Sequence, residues 1–185
     1  MTSEKLNKLG LKTALISFLI GIAIFLFYYF TSNFYILFLG YFFTGIACIF
    51  NLVILILIIL EISKYCEIRK KFISTSLIML FNIPIMITFV WLTLILINTM
   101  RINFKNTTQT AITDIEIIGC DLKHINKLEP NESITIWIKI NNDCSIQMNY
   151  LQNKKRETET VAGYITGGMG QKMNYNIGSK SELVF

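Results

Sequence analysis

Three long apolar runs without a single charged residue occupy the first hundred residues of this 185-residue chain. They cover residues 13–30, 34–60 and 72–98. A helix needs about 18 consecutive apolar residues to cross a bilayer, and each run is at least that long. We therefore predict a membrane domain over residues 1–100 that contains three transmembrane helices.

The net charge of +5 comes mainly from this membrane part. Residues 1–100 contain seven Lys or Arg and three acidic residues, whereas residues 101–185 contain ten basic and nine acidic residues. A nearly neutral tail lacks the basic face that is typical of nucleic-acid-binding proteins. We expect the lipid bilayer as a partner and no nucleic acid.

The basic residues also predict how the chain is oriented in the membrane. The short segments before the first run and between the second and third runs lie on one side of the membrane. They carry seven basic residues: Lys5, Lys8, Lys12, Lys64, Arg69, Lys70 and Lys71. The segment after the third run lies on the other side and carries two, Arg101 and Lys105. Basic short loops stay in the cytoplasm. We expect a bacterial inner-membrane protein with a cytoplasmic N-terminus, an uncleaved first helix and an extracytoplasmic C-terminal domain.

Two amides lie deep inside the runs, which contain no Asp, Glu, Lys, Arg or His. Asn51 and Asn82 are each about 14–15 Å from the inner boundary, at 1.5 Å per residue. This equal depth predicts a hydrogen bond between them worth about 0.6 kcal/mol. The alternative is a polar pocket for a small ligand. Pro84 is expected to kink the third helix, and a proton-coupled pump is not expected, because it would need ionisable groups.

After residue 100 the pattern changes from continuous apolar residues to alternation. Apolar and polar residues alternate over 134–140, 146–150 and 173–177, and residues 102–104, 111–118 and 157–165 are further candidates. Alternation with a period of two predicts antiparallel strands with one buried face. The expected fold class is an α+β membrane protein, in which three transmembrane helices precede a small, immunoglobulin-like β-sandwich over residues 101–185.

Four short segments carry a resemblance to a known group of proteins. They are Asn106-Thr107, Ile117-Ile118-Gly119-Cys120, Asp143-Cys144-Ser145-Ile146 and the segment Val161 to Thr166. On these segments the chain resembles uncharacterised bacterial membrane proteins that join a three-helix anchor to an outer β-domain. The resemblance covers most of the chain and implies its architecture, but no activity.

Cys120 and Cys144 lie in the predicted extracytoplasmic domain, where the compartment permits a disulfide. A bridge between them would close a loop of about 25 residues, worth roughly 3.5 kcal/mol in the chain-entropy treatment. Whether both reach the same end of a sheet depends on a short strand over residues 123–128. The sequence leaves open a disulfide or two free, buried thiols.

Other chemically suggestive residues indicate no catalytic or metal site. His124 is the only histidine, so neither a blue-copper nor a zinc ligand set is complete. The cluster Gly167-Gly168-Met169-Gly170 predicts a flexible turn rather than a phosphate loop, with Met169 as a partner contact. Asn106 and Asn131 match the glycosylation pattern, which matters only in a eukaryotic secretory setting. We expect no cofactor and no enzymatic activity.

These observations predict a non-enzymatic integral membrane protein that displays its β-sandwich for protein interaction. Residues 101–108 would act as a short tether that holds the domain near the bilayer. One alternative is a membrane-embedded immunity protein against a pore-forming or periplasm-acting toxin. A second alternative is a small channel or transporter subunit, in which Asn51 and Asn82 line a water-filled path.

Overall fold

The computed structural model describes residues 3–62, 69–179 and 181–183. Three helices of 29 residues come first: α1 (Ser3–Thr31), α2 (Phe34–Ile62) and α3 (Arg69–Ile97). Each is about 44 Å long at 1.5 Å per residue, and each is long and apolar enough to cross a membrane. Lys64 and Cys66, which the sequence analysis places in the inner loop, lie outside the described residues.

A two-residue turn, Ser32-Asn33, joins α1 to α2. Ser32 adopts a left-handed conformation with φ of 51°, and its amide donates to the carbonyl of Tyr28 at 2.8 Å, which closes α1. The side chain of Asn33 then accepts a hydrogen bond from the amide of Tyr35 at 2.8 Å and caps the start of α2. This polar turn lies where the break between the first two apolar runs predicts it.

The three helices pack around one small cluster of side chains. Its buried members are Leu6, Ala14, Ile54, Leu55, Ile58, Phe72 and Met79. Gly10 lies at the tightest point, because a Cβ there would be 2.5 Å from the Ile58 side chain and 3.1 Å from Met79 Sδ. Most other apolar side chains of the helices face outwards, as expected of helices in lipid.

The described part of the chain then forms seven strands in two sheets. The three-stranded sheet has the order β4-β1-β7, with β1 and β7 parallel, and the four-stranded sheet is antiparallel with the order β3-β2-β5-β6. Alternating side chains of both sheets share one hydrophobic core. The strands are β1 (Thr99–Asn106), β2 (Ile112–Gly119), β3 (Lys123–Leu128), β4 (Ser133–Lys139), β5 (Cys144–Gln152), β6 (Lys155–Ile165) and β7 (Lys172–Ile177).

This strand order differs from the immunoglobulin-like order that the sequence analysis expects. In a seven-stranded immunoglobulin domain the orders are 1-2-5-4 and 3-6-7, so the chain crosses between sheets after its second strand. Here a short turn after Gly119 folds β3 back beside β2, where Glu116 pairs with His124. Because β2 and β3 form a hairpin, β4 rather than β3 is the first strand after β2 to lie in the other sheet.

Residues 101–108 are not a tether, contrary to expectation. Most of this segment belongs to β1, the central strand of the three-stranded sheet, where Ile102 and Phe104 are fully buried. At its end Asn106 is also fully buried, and its amide donates to the carbonyls of Thr110 and Leu128 at 3.0 and 3.1 Å. The segment is therefore part of the domain core.

The chain divides into two compact units, Met1–Thr93 and Leu94–Phe185, rather than at residue 100. The last turn of α3 belongs to the second unit, which we call the β-module. In that turn the carbonyl of Ile97 accepts a hydrogen bond from the amide of Gly170 at 2.8 Å. A Cβ on Gly170 would lie 2.5 Å from the Leu96 carbonyl oxygen and 2.6 Å from the Thr99 nitrogen. Only glycine permits this approach.

Candidate functional site

Cys120 and Cys144 form a disulfide with an S–S distance of 2.00 Å. The pairing of β2 with β5 explains the contact, because Gly119 lies opposite Ile146 and the end of β2 therefore meets the start of β5. Of the two arrangements that the sequence leaves open, the structure has the bridge rather than two free thiols. The strand over residues 123–128, on which this geometry depended, is present as β3.

A cluster of charged side chains lies on the exposed face of the four-stranded sheet, and we call it the Asp114 cluster. It contains Asp114, Glu116, His124 and Arg156. The Asp114 carboxylate is 3.1 Å from His124 Nε2 and 3.0 Å from Arg156 Nη2. Three strands, β2, β3 and β6, thus contribute side chains to one surface site.

Asp114 owes its position to an irregularity in β2. The pairing of β2 with β5 shifts register between Thr113 and Glu116, and Asp114 has a φ of 51°. A bulge of this kind re-aims a side chain, and a left-handed conformation is unfavourable for any residue but glycine, Asn or Asp. The hydrogen bond with His124, followed by attraction to Arg156, holds the pKa of Asp114 below its ordinary value.

The sequence predicts a hydrogen bond between Asn51 and Asn82, but the structure gives the two amides other partners. Asn51 Nδ2 donates to Ser17 Oγ at 3.1 Å and to the carbonyl of Ala47 at 2.8 Å. Asn82 Nδ2 donates to the carbonyl of Ala14 at 2.9 Å. Equal depth in two helices does not fix the direction of the side chains around each helix axis, and both amides turn towards α1.

Both amides line a cleft of about 180 Å³ among the three helices. Its walls are mostly apolar, with Ser17 and Thr44 as further polar residues. The Oδ1 atom of Asn51 is buried and has no hydrogen-bond partner among the described residues. Pro84 lies within α3, which is helical on both sides of it, and the predicted kink remains a prediction.

The structure does not bring His124 together with a metal-ligand set. Among the residues that the structure describes, no three His, Cys, Asp or Glu side chains are close enough to hold a metal ion. His124 is instead paired with Asp114, while Cys120 is bonded to Cys144.

Burial distinguishes two further features of the β-module that the sequence offers. Met169, suggested as a partner contact, is partly buried and packs against the hydrophobic core. Asn106 is fully buried and hydrogen-bonded, so it is inaccessible to a glycosyltransferase in the folded protein, whereas Asn131 is exposed in a turn. The glycine cluster around Met169 is held against the end of α3 through Gly170.

The Asp114 cluster and the disulfide are the chemically distinctive features of the β-module. The cleft that Asn51 and Asn82 line is the distinctive feature of the first unit, which we call the helical unit. No protein family, no curated protein and no solved structure matches the chain. Function is therefore argued from the geometry of the chain's own residues.

Proposed function

We propose that this chain is a non-enzymatic integral membrane protein that displays its β-module on the extracytoplasmic side of a bacterial inner membrane to bind a protein partner. The Cys120–Cys144 disulfide carries the proposal, because disulfides persist in oxidising compartments and are rare in the cytosol. The basic segments that flank the apolar helices give independent support for the same orientation.

The Asp114 cluster is the proposed contact surface. Arg156 and His124 project from an exposed sheet face, with half or more of each side chain accessible to solvent. Arginine is enriched among the residues that dominate binding energy at protein interfaces. The irregularity in β2 at Asp114 directs its carboxylate to both groups, and β-bulges of this kind are over-represented next to functional sites.

Labelling with a membrane-impermeant maleimide on intact cells tests the orientation. We expect a Lys155→Cys variant to be labelled, since residue 155 is exposed at the start of β6. Cys66, in the predicted inner loop, should react only after lysis. Labelling of Cys66 but not of the cysteine at position 155 in intact cells would contradict the proposed orientation.

Site-specific photo-crosslinking tests the proposed binding. A photoreactive residue at Asn126, which shares the exposed face of β3 with His124, should form an adduct of one defined mass. The same residue at Thr135, on the outer face of the other sheet, is the control. Arg156→Ala should remove the adduct and Lys155→Ala should leave it. Absence of any adduct from position 126 in the native host would contradict binding through this face.

The cleft supports a second candidate function, that of a small channel or transporter subunit. Asn51 and Asn82 both line it, and the buried Asn51 Oδ1 atom has no hydrogen-bond partner among the described residues. Flux measured in liposomes would be lowered by Asn82→Leu if the cleft conducts. Absent flux, or flux that Asn82→Leu leaves unchanged, would remove this candidate.

A further inference from the structure

Beyond the last turn of α3, the β-module exposes three large apolar side chains among its described residues. These are Leu122, Trp137 and Tyr164, which are 71%, 43% and 59% exposed. They lie on three different segments, the β2–β3 turn, β4 and β6. The strand pairing and hydrogen bonds around each of them relate these segments to the end of α3.

Trp137 lies close to the end of α3, because its strand β4 pairs with β1, which begins shortly after α3 ends. It pairs with Arg101, whose guanidinium carbon is 5.7 Å from the centre of the indole ring. Arg101 is four residues beyond Ile97, the last residue of α3, so at most about 14 Å of chain separates them. At the same end Lys139 pairs with Thr99, and the Ile140 amide donates to the Asn98 carbonyl at 2.9 Å.

The β2–β3 turn, which carries Leu122, reaches the same end. The amide of Leu122 donates to the Asp121 carboxylate at 2.9 Å. The disulfide holds the neighbouring Cys120 beside Cys144, the first residue of β5, and only residues 140–143 separate Cys144 from the end of β4 at Lys139. Lys139 is the residue that pairs with Thr99 at the start of β1.

Tyr164 is connected to the end of α3 through the β6–β7 loop. Its hydroxyl donates to Asp143 at 3.0 Å, and Thr166 donates to the same carboxylate. The Thr166 carbonyl accepts a hydrogen bond from the Met169 amide, and the next residue, Gly170, donates to Ile97. All three exposed apolar side chains thus lie at the end of the module where α3 joins it.

We propose that this end of the β-module, with Leu122, Trp137 and Tyr164 at its surface, lies in the phospholipid headgroup layer of the bilayer that α3 crosses. The inference rests on the membrane location in the proposed function and assigns a surface that the proposed protein contact does not use. The sequence of α3 is apolar up to Ile97 and becomes polar at Asn98, which puts the hydrocarbon boundary near that point.

The side chains fit this environment. Trp and Tyr are enriched at membrane interfaces, because one end of the ring system is apolar and the other end is polar. Lys139 and Lys172 are exposed at the same end and can reach lipid phosphates. The acidic residues at this end, Asp121 and Asp143, are both hydrogen-bonded within the module.

Fluorescence quenching in nanodiscs tests the proposal on the full chain. With Trp91→Phe, Trp137 is the only tryptophan left, since the chain has two. In phosphatidylcholine nanodiscs we expect a lipid with a nitroxide on its headgroup to quench most of its fluorescence. A nitroxide deep in the acyl chain should quench little. The variant Trp91→Phe, Trp137→Phe, Tyr164→Trp gives a second reporter, for which we expect the same result.

The matched control moves the tryptophan to the far end of the module. Glu129 is exposed and follows β3 at the end where β1 finishes, about 23 Å along the sheet from Thr99. The variant Trp91→Phe, Trp137→Phe, Glu129→Trp should therefore keep its fluorescence. Equal quenching of the tryptophans at positions 129 and 137, or no headgroup quenching of Trp137, would overturn the proposal. Failure of the chain to enter nanodiscs would instead contradict the membrane location itself.

Discussion

The hydroxyl of Tyr175 donates a hydrogen bond to the carboxylate of Glu159 at 2.7 Å, and this contact joins the two sheets of the β-module. Glu159 lies on β6 and is 4% exposed, while Tyr175 lies on β7 and is 1% exposed. The carboxylate also accepts hydrogen bonds from Tyr150 at 2.6 Å and from the Gly178 amide at 2.9 Å. A buried carboxylate is thus supplied with three donors.

Removing one donor should destabilise the β-module. Tyr175→Phe deletes a hydrogen bond to a buried carboxylate, for which we expect a loss of about 1.5–3 kcal/mol in the free energy of unfolding. Trp137 fluorescence in a Trp91→Phe background reports on this unit during denaturation in mild detergent. Tyr164→Phe is the control, because its hydroxyl bonds to Asp143 at the surface, and it should change stability by less than about 0.5 kcal/mol. Equal losses from both variants would contradict the assignment.

The same residues predict a loss of stability at alkaline pH. Burial, and then the hydrogen bond to Glu159, raises the pKa of both Tyr150 and Tyr175 above the ordinary value. Above about pH 10 the unfolded chain releases these phenolic protons while the folded chain retains them, so stability falls as pH rises. Below that pH the contribution is complete. Denaturation midpoints measured against pH should fall less steeply in the variant Tyr150→Phe, Tyr175→Phe; an unchanged slope would count against the prediction.

The disulfide should contribute measurably to the stability of the β-module. Cys120 and Cys144 are 24 residues apart in sequence, and the chain-entropy treatment gives about 3.5 kcal/mol for such a loop. Reduction, or the variant Cys120→Ser, Cys144→Ser, should lower the free energy of unfolding by about this amount. Cys48→Ser removes an exposed free thiol in α2 and serves as the control. If reduction has no effect on Trp137-detected unfolding, the bridge is not formed in the protein.

The helices were predicted well from the sequence, and so were most of the strands, because both kinds of element depend on the pattern of neighbouring residues. Charge-free apolar runs correspond to the three helices, and alternation identified β4, β5 and β7, while β1, β2 and β6 were named as further candidates. The first helix starts earlier than the first run, at Ser3 rather than at residue 13, because Lys5, Lys8 and Lys12 are compatible with a helix although they are not apolar. Hydropathy finds the span but not the end of the helix.

Contacts between distant segments were not predictable in the same way. The strand order depends on which strand β1 pairs with, and alternation does not carry that information. Asn51 and Asn82 were expected to bond because of their equal depth, but the direction of each side chain around its helix axis was unknown, and both bond to α1 instead. Glu159 was missed, although it occupies an inward position two residues before the buried Val161. A charged residue in the buried phase of a strand is the signal that could have identified the Glu159 network.

The contact between the β6–β7 loop and the end of α3 should require glycine at position 170. In Gly170→Ala the new methyl group would meet backbone atoms of Leu96, Ile97 and Thr99 within 2.7 Å. Because backbone atoms cannot rotate away, we expect a loss of about 3 kcal/mol, the upper end of the usual cost of overpacking. The control is Gly163→Ala, whose methyl group would meet only the flexible end of Glu182 at 3.2 Å. Equal Trp137-detected stability of the two variants would contradict the close approach.

The two intramembrane amides should differ in their effect on the helical unit. Asn82→Leu deletes the hydrogen bond to Ala14, which costs about 0.6 kcal/mol by comparison with other membrane helices. Asn51→Leu deletes the bond to Ser17 but also removes a buried oxygen that has no partner among the described residues, so we expect a smaller loss or a gain. With Trp137→Phe, Trp91 of α3 reports on unfolding of this unit in mixed micelles. A larger loss from Asn51→Leu than from Asn82→Leu would show that Asn51 has a partner that the present hydrogen-bond pattern lacks.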